Sequence, residues 1–268
     1  MKRFWTLVLL SALFLSACGG TSQPTEAPVE VPPTNTSAPT ATPPPTATET
    51  PIPTATPTST PDLAATAAVE STAQAESVLA ELDKVLGDSE IAYKDGRLIW
   101  QQTDKIDIRM TGPQASDNFR ELEGSPTAGN FIFRSKVTWN ANGIIICGTI
   151  FRSEADLDVG QQYQFYFYRL SGLPAYFIDL YEGGAYKKTL TDARFSDQLD
   201  VSNDGVNDFM LVAQGEQFTI YLNGVRQGRY FDYSKTRSNG AFAFLAWQQS
   251  GDGRCTFEDS WVWSLDEP

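Results

Sequence analysis

The chain has 268 residues, with 33 Asp and Glu against 20 Lys and Arg, a formal charge of −13 and no histidine. An acidic balance without basic runs argues against nucleic acid as a partner. The missing imidazole excludes Ser-His-Asp and Cys-His catalysis and His-ligated zinc, so any chemistry must rest on carboxylates, Tyr, Lys or a cation held by oxygens.

Lys2 and Arg3 precede an apolar run from Phe4 to Phe14 that is too short to span a bilayer and remain there, and the run closes on Leu15-Ser16-Ala17-Cys18. Residues 1–17 resemble a bacterial lipoprotein signal peptide. The resemblance implies cleavage before Cys18 and lipid on that residue. The mature chain is then exported and held on the membrane of the cell envelope through the lipid on Cys18, with its folded domain facing outward. Residues 18–61 form the tether: residues 21–61 hold 12 of the 16 prolines and 13 threonines, interrupted by few large apolar side chains (Val29, Val31 and Ile52). Such a tract buries too little surface to offset its ordering entropy and is expected to be disordered and extended. At a polyproline rise of about 3.1 Å per residue it reaches on the order of 100 Å.

Residues 62–88 predict a helix. Asp62 supplies an N-cap, Ala dominates with Glu70, Glu76 and Glu81 spaced along the run, and Gly87 is a stop. Val78, Leu82 and Val85 share one face, which is expected to lie on the domain; a coiled-coil stalk is the alternative, with too few heptads to support it.

From Ser89 the period shortens to two, and residues 89–268 read as one all-β domain. Asp95-Gly96 signals a hairpin within Ile91–Trp100. Alternating or apolar runs follow at 106–110, 118–123, 131–139, 144–152, 163–170, 175–182, 208–214, 217–222, 241–247 and 255–263, separated by Gly, Asn and Asp turns. About a dozen short strands predict a two-sheet antiparallel β-sandwich, a jelly roll. Ile144–Ile146 and Phe165–Tyr168 are apolar on both faces, which predicts central strands that line a cleft or bear a partner. The two remaining cysteines, Cys147 and Cys255, predict one disulfide closing a loop of about 108 residues, with two buried thiols as the alternative.

The series Cys147–Arg152, Gln164–Tyr168, Asn207–Ala213, Ile220–Gly224, Gly240–Phe244 and Phe257–Asp259 resembles the concanavalin A-like lectin/glucanase jelly roll, in the branch labelled 3-keto-disaccharide hydrolase or laminin-G-like, over roughly residues 104–266. Most of these positions also have structural reasons: Asn223-Gly224 suits a turn needing positive φ, Phe218, Ile220, Leu222 and Phe257 read as core, and Asp259 ties down a loop end. The Glu-x-Asp-x-x-Glu strand motif of laminarinase-like glycanases is absent, and Glu258 and Asp259 fall on opposite faces of a strand.

The resulting expectation is a non-catalytic module that binds glycan or polysaccharide. The alternatives are a protein-interaction or structural envelope module and a carboxylate-based glycoside-active enzyme. Sugars present apolar C–H faces and rings of hydroxyls, which aromatic platforms and paired polar groups hold. The candidates are Arg152, Tyr166, Tyr168, Arg169, Tyr176, Asp179, Trp247 and Gln249, converging on the concave sheet; the alternative is a Tyr-rich outer face with Arg–carboxylate surface pairs. No cofactor is required. Calcium is the one candidate ion, at the acidic loop Asp197, Asp200, Asn203, Asp204 or at Gly251-Asp252-Gly253, although the spacing matches no EF-hand.

Overall fold

The computed structural model describes residues 63–114, 117–170, 173–191 and 194–267. The signal-like segment, Cys18, the Pro/Thr tract and the Asp62 cap lie outside the described residues. Helix α1 (Leu63–Leu86) precedes the strands β1 (Arg97–Gln101), β2 (Ile106–Thr111), β3 (Asn118–Glu121), β4 (Thr127–Ala128), β5 (Phe131–Ala141), β6 (Ile145–Ser153), β7 (Gln162–Leu170) and β8 (Leu173–Glu182). There follow β9 (Ala185–Thr189), β10 (Arg194–Phe195), β11 (Val206–Gln214), β12 (Gln217–Leu222), β13 (Val225–Phe231), β14 (Gly240–Gln248) and β15 (Asp252–Ser264).

The strands form two antiparallel sheets. The first runs β1-β15-β5-β11-β12-β13, with β2 also on β15; the second runs β10-β8-β7-β6-β14-β3, with β4 on β14 and β9 on β8. Consecutive strands repeatedly change sheet, as β5 to β6, β13 to β14 and β14 to β15 do, which gives the two-sheet sandwich its jelly-roll winding.

The core follows from side-chain alternation. Phe133, Val137 and Trp139 of β5, Phe209 and Leu211 of β11, Phe165 and Phe167 of β7 and Phe242 and Phe244 of β14 all enter one buried cluster between the sheets. Their rings meet mostly edge-on or tilted, such as Phe131 on Phe242 at 4.7 Å and Trp139 on Phe167 at 5.3 Å. Cys147 on β6 and Cys255 on β15 form the predicted disulfide, with Cα atoms 5.8 Å apart, and tie the two sheets together.

Helix α1 adds a third layer. Val78, Leu82 and Leu86 are buried against Ile132, Met210, Val212, Tyr221, Trp261 and Trp263 on the outer face of the first sheet. Trp261 and Trp263 reach that face because a bulge between Glu258 and Trp261 shifts the register of β15. Before it Cys255 and Phe257 point into the sandwich; after it Val262 does, and its two Trp neighbours turn to the helix. Asp259 sits in this bulge with φ 49° and pairs with Lys136, so it shapes a strand rather than tying down a loop end. Among the described residues no helix is long and apolar enough to cross a membrane.

Two local expectations differ from the structure. Asp95-Gly96 turns no hairpin: β1 pairs with β15, and Gly96 is needed because a Cβ there would sit 2.4 Å from the Ser264 carbonyl oxygen. Asn223-Gly224 does turn, with φ 50° and 79°, but into β13, a strand with no apolar stripe, whose sequence Val-Arg-Gln-Gly-Arg-Tyr-Phe carries no clean alternation.

Candidate functional site

The site lies on the outer face of the second sheet. Antiparallel partners share a face, so the register places three rows of side chains there. One row is Trp247, Ile146, Tyr168 and Ala175; the next is Phe119, Leu245, Gly148, Tyr166 and Phe177; the third is Glu121, Ala243, Ile150, Gln164, Asp179 and Thr189. Ile150, Ala243 and Leu245 make a buried apolar bed, with Phe119, Ile146, Leu157 and Tyr166 packed on it. Gly148 leaves the space that Tyr166 occupies: a Cβ there would come within 2.6 Å of the Tyr166 Cβ. Phe177 stacks on Tyr166 at 5.5 Å and on Tyr168 at 5.3 Å, which gives a continuous aromatic ladder across β7 and β8.

The loop between β6 and β7 folds over one end of this face. Asp156 Oδ1 accepts hydrogen bonds from the backbone N–H groups of Asp158 (2.9 Å) and Val159 (3.1 Å), and Gln162 Nε2 donates to the Leu157 carbonyl (3.1 Å). The loop so held, together with the segment before β3, encloses a cleft of about 260 Å³. Its lining includes Asp117, Phe119, Leu157, Asp158, Gln162, Gln164, Tyr181 and Trp247. A second, more open hollow of about 730 Å³ shares Asp117, Phe119, Leu157 and Asp158 with it and extends past Asn118 and Glu121. A larger groove of about 980 Å³ follows the seam between α1 and β1, but no residue predicted for the site lines it.

The electrostatics of the face are set by desolvation. Burial pushes the Asp179 carboxyl above its ordinary range, against the hydrogen bond from Tyr166 that favours the charged form. Tyr166 Oη donates to Asp179 Oδ2 at 2.5 Å, and the other carboxylate oxygen, Oδ1, is buried without a partner. Burial likewise raises Asp117, opposed by a hydrogen bond from the Gln164 side chain. Tyr181 is pushed up to about 12, first by burial and then by the charges of Asp117 and Asp179. The phenols therefore remain protonated donors at neutral pH. The face offers aromatic rings, an amide, phenol donors and two desolvated carboxyls, a set suited to hydroxyl-rich ligands.

Of the predicted residues, Tyr166, Tyr168, Asp179 and Trp247 share this face. The other four do not. Arg152 has φ 50°, which takes it out of strand alternation and turns its guanidinium over Phe218. It is 1% exposed, and its donors are spent on the carbonyls of Gly129, Gly215 and Arg237. Arg169 holds the carbonyls of Ala141 and Val201 and the side chain of Asn203, bracing the loop before β11. Tyr176 faces the core, where its hydroxyl meets that of Tyr230 at 2.6 Å. Gln249 is exposed in the turn after β14 and lines neither hollow, while its neighbour Gln248 is buried on the carbonyls of Gly112 and Gly251.

Sequence reasoning missed Asp117, Gln164 and Tyr181. Gln164 was legible in the every-second-residue series Gln162, Gln164, Tyr166, Tyr168. Asp117 lies before a four-residue strand and carries no local signal.

In the acidic loop the side-chain oxygens of Asp200, Asn203 and Asp204 already accept from protein donors. Asp200 Oδ1 accepts from the Ser202 N–H and hydroxyl, Asn203 Oδ1 accepts from the Ala141 N–H and Arg169, and Asp204 Oδ1 accepts from Asn140. Among the described residues no group of three or more Asp, Glu, Cys or His converges as a metal would require.

No family model matches the chain, and no curated protein does. Among solved structures, the chain is similar to the carbohydrate binding module CBM66 from Bacillus subtilis, with 20% identity over 65% of this chain and 98% of that one and a TM-score of 0.48. It is also similar to the beta-glucanase of Bacillus licheniformis, with 10% identity over 60% and 79% and a TM-score of 0.42. A third is sheep galectin-11 in complex with glycerol, with 8% identity over 52% and 98% and a TM-score of 0.36.

Proposed function

We propose that this chain is an exported lipoprotein that binds glycan or polysaccharide without catalysis through the outer face of its second sheet. Lipid on Cys18 anchors it to the cell envelope, and the Pro/Thr tether presents the sandwich outward. The observation that carries the binding reading is the Tyr166–Phe177–Tyr168 ladder, which runs with Trp247 beside a cleft bearing Asp117, Gln164 and Tyr181. Rings of this kind stack on the C–H faces of sugars, and the polar groups reach their hydroxyls.

The test is retention of the full chain on a panel of soluble and insoluble polysaccharides. Retention on one polymer class, weakened about tenfold or more in Trp247→Ala and in Tyr168→Ala with melting temperatures preserved, supports the reading. Trp247 Nε1 also donates to the Gln114 carbonyl, so the Tyr168 variant separates loss of a platform from loss of fold. No retention on any polymer favours a protein partner. For the anchor, metabolic labelling with a fatty acid is expected to mark the wild type and not Cys18→Ala.

One observation favours a second reading, a carboxylate-based glycoside-active enzyme: Asp117 and Asp179 are both desolvated and raised, as a general acid requires. Release of reducing ends from a retained polymer, abolished in Asp117→Asn, would establish it.

A further inference from the structure

A second surface with the chemistry of recognition lies on the other sheet and does not depend on the cleft. β13 is the edge strand of the first sheet. Arg226 lies opposite Tyr221, Arg229 opposite Thr219 and Phe231 opposite Gln217, so the three share the outer face. Both guanidinia are close enough to Tyr221 for their charges to oppose the rise that burial gives its phenol. In a chain of formal charge −13, Arg226 and Arg229 are exposed, and neither enters an ion pair among the described residues. Tyr233, 81% exposed, stacks on Phe231 with ring centroids 5.5 Å apart and planes within 9°. The corner that holds the rings out is tied down. Between them the buried Asp232 accepts hydrogen bonds from the side chains of Tyr163 and Lys188 and from the backbone N–H groups of Ser234 and Thr236. Its own N–H donates to the Glu216 carbonyl, and the Glu216 carboxylate is paired with Lys235. Charge on an edge strand guards against pairing with another sheet, but that does not account for two apolar rings fixed in solvent beside it.

We propose that β13 and the corner after it form a second binding site, which takes a uronate-bearing glycan. A sugar ring lies with its C–H face on the open side of Tyr233, and its carboxylate meets the fork of Arg229, with Arg226 on the same face for the carboxylate of a neighbouring sugar. A neutral sugar would leave both guanidinia unused. A lipid surface would need apolar side chains to insert, and the stack spends one face of each ring on the other.

The experiment is calorimetric titration of the full chain with an oligogalacturonate and with its fully methyl-esterified counterpart, which keeps the ring and removes the charge. It is run on the wild type, Arg229→Gln, Tyr233→Ala and the control Arg109→Gln. Arg109 is 74% exposed on β2, at the far side of the same sheet, so its variant carries the same change of charge away from the site. The expected result is at least tenfold tighter binding of the uronate than of its ester in the wild type. Arg229→Gln is expected to erase that preference, Tyr233→Ala to weaken uronate binding about tenfold, and Arg109→Gln to change neither. All three side chains are exposed, and matching melting temperatures confirm that the variants fold. Persistence of the preference in Arg229→Gln, or unchanged uronate affinity in Tyr233→Ala, overturns the inference while leaving the cleft reading intact. An equal loss in Arg109→Gln overturns it as bulk electrostatics. Sedimentation with phosphatidylglycerol vesicles without binding of either oligomer overturns it in favour of a lipid surface, and binding of nothing overturns it outright.

Discussion

Arg152 and Asp179 show why residue type alone misplaces a site. Both are buried polar groups of the second sheet, on β6 and β8, yet Arg152 is satisfied by three backbone carbonyls and Asp179 keeps an oxygen unpaired. Arg152→Met strands those carbonyls at the end of the sandwich and is expected to cost about 3 kcal/mol, read as a lower urea midpoint, without touching the cleft. Asp179→Asn should do the opposite. It removes a desolvated charge while its amide oxygen still accepts from Tyr166, so the melting temperature at neutral pH should hold or rise while glycan affinity falls. Asp232 titrates with the other sign. Burial raises its carboxyl, but hydrogen bonds from Lys188, Tyr163 and Thr236 outweigh burial and hold it well below the carboxylate range. A folded pKa below the unfolded value of about 3.9 contributes stability that is full above that value and is lost as pH falls through the folded one. Urea titrations of the wild type and Asp232→Asn should therefore differ at pH 6 and converge toward about pH 2.

At the scale of elements, α1 is an integral layer. Leu82 is fully buried, and Glu81 receives the Trp261 indole N–H at 3.1 Å and an Arg134 ion pair at 2.6 Å, while Arg134 also grips Asp208. Leu82→Ala is expected to cost roughly 2–4 kcal/mol of the whole domain's stability, as a cavity under a packed helix does, with a single cooperative transition retained. The apolar stripe of this helix was readable from its 3.6-residue period. The surface it covers was not, because Trp261 and Trp263 reach it only after the β15 bulge reverses the alternation. β13 escaped for a related reason: a polar edge strand has no buried face to impose a pattern.

For the whole molecule, the Cys147–Cys255 bridge joins the two sheets across 108 residues of chain. The chain-entropy relation assigns such a loop about 4–5 kcal/mol. At roughly 2–4 °C per kcal/mol for a domain this size, reduction should lower the melting temperature by on the order of 10–20 °C in paired scans with and without reductant. The helix and the cleft lie on opposite outer faces of the sandwich: α1 covers the outer face of the first sheet, and the outer face of the second carries the cleft.

The sequence by itself determined the all-β class, the period-two strands, the helix, the Asn223-Gly224 turn and the cysteine pair. Each is written in local periodicity, in a positive-φ requirement or in the scarcity of a residue type. It also placed Tyr166, Tyr168, Asp179 and Trp247 in a candidate site. Only the tertiary structure decided that these four share a face while Arg152, Arg169, Tyr176 and Gln249 do not, and that Asp117 and Gln164 join them. The reason is physical: a side chain's face depends on bulges, on a left-handed φ and on which strand lies opposite, and strand pairing over a hundred residues leaves no trace in local spacing.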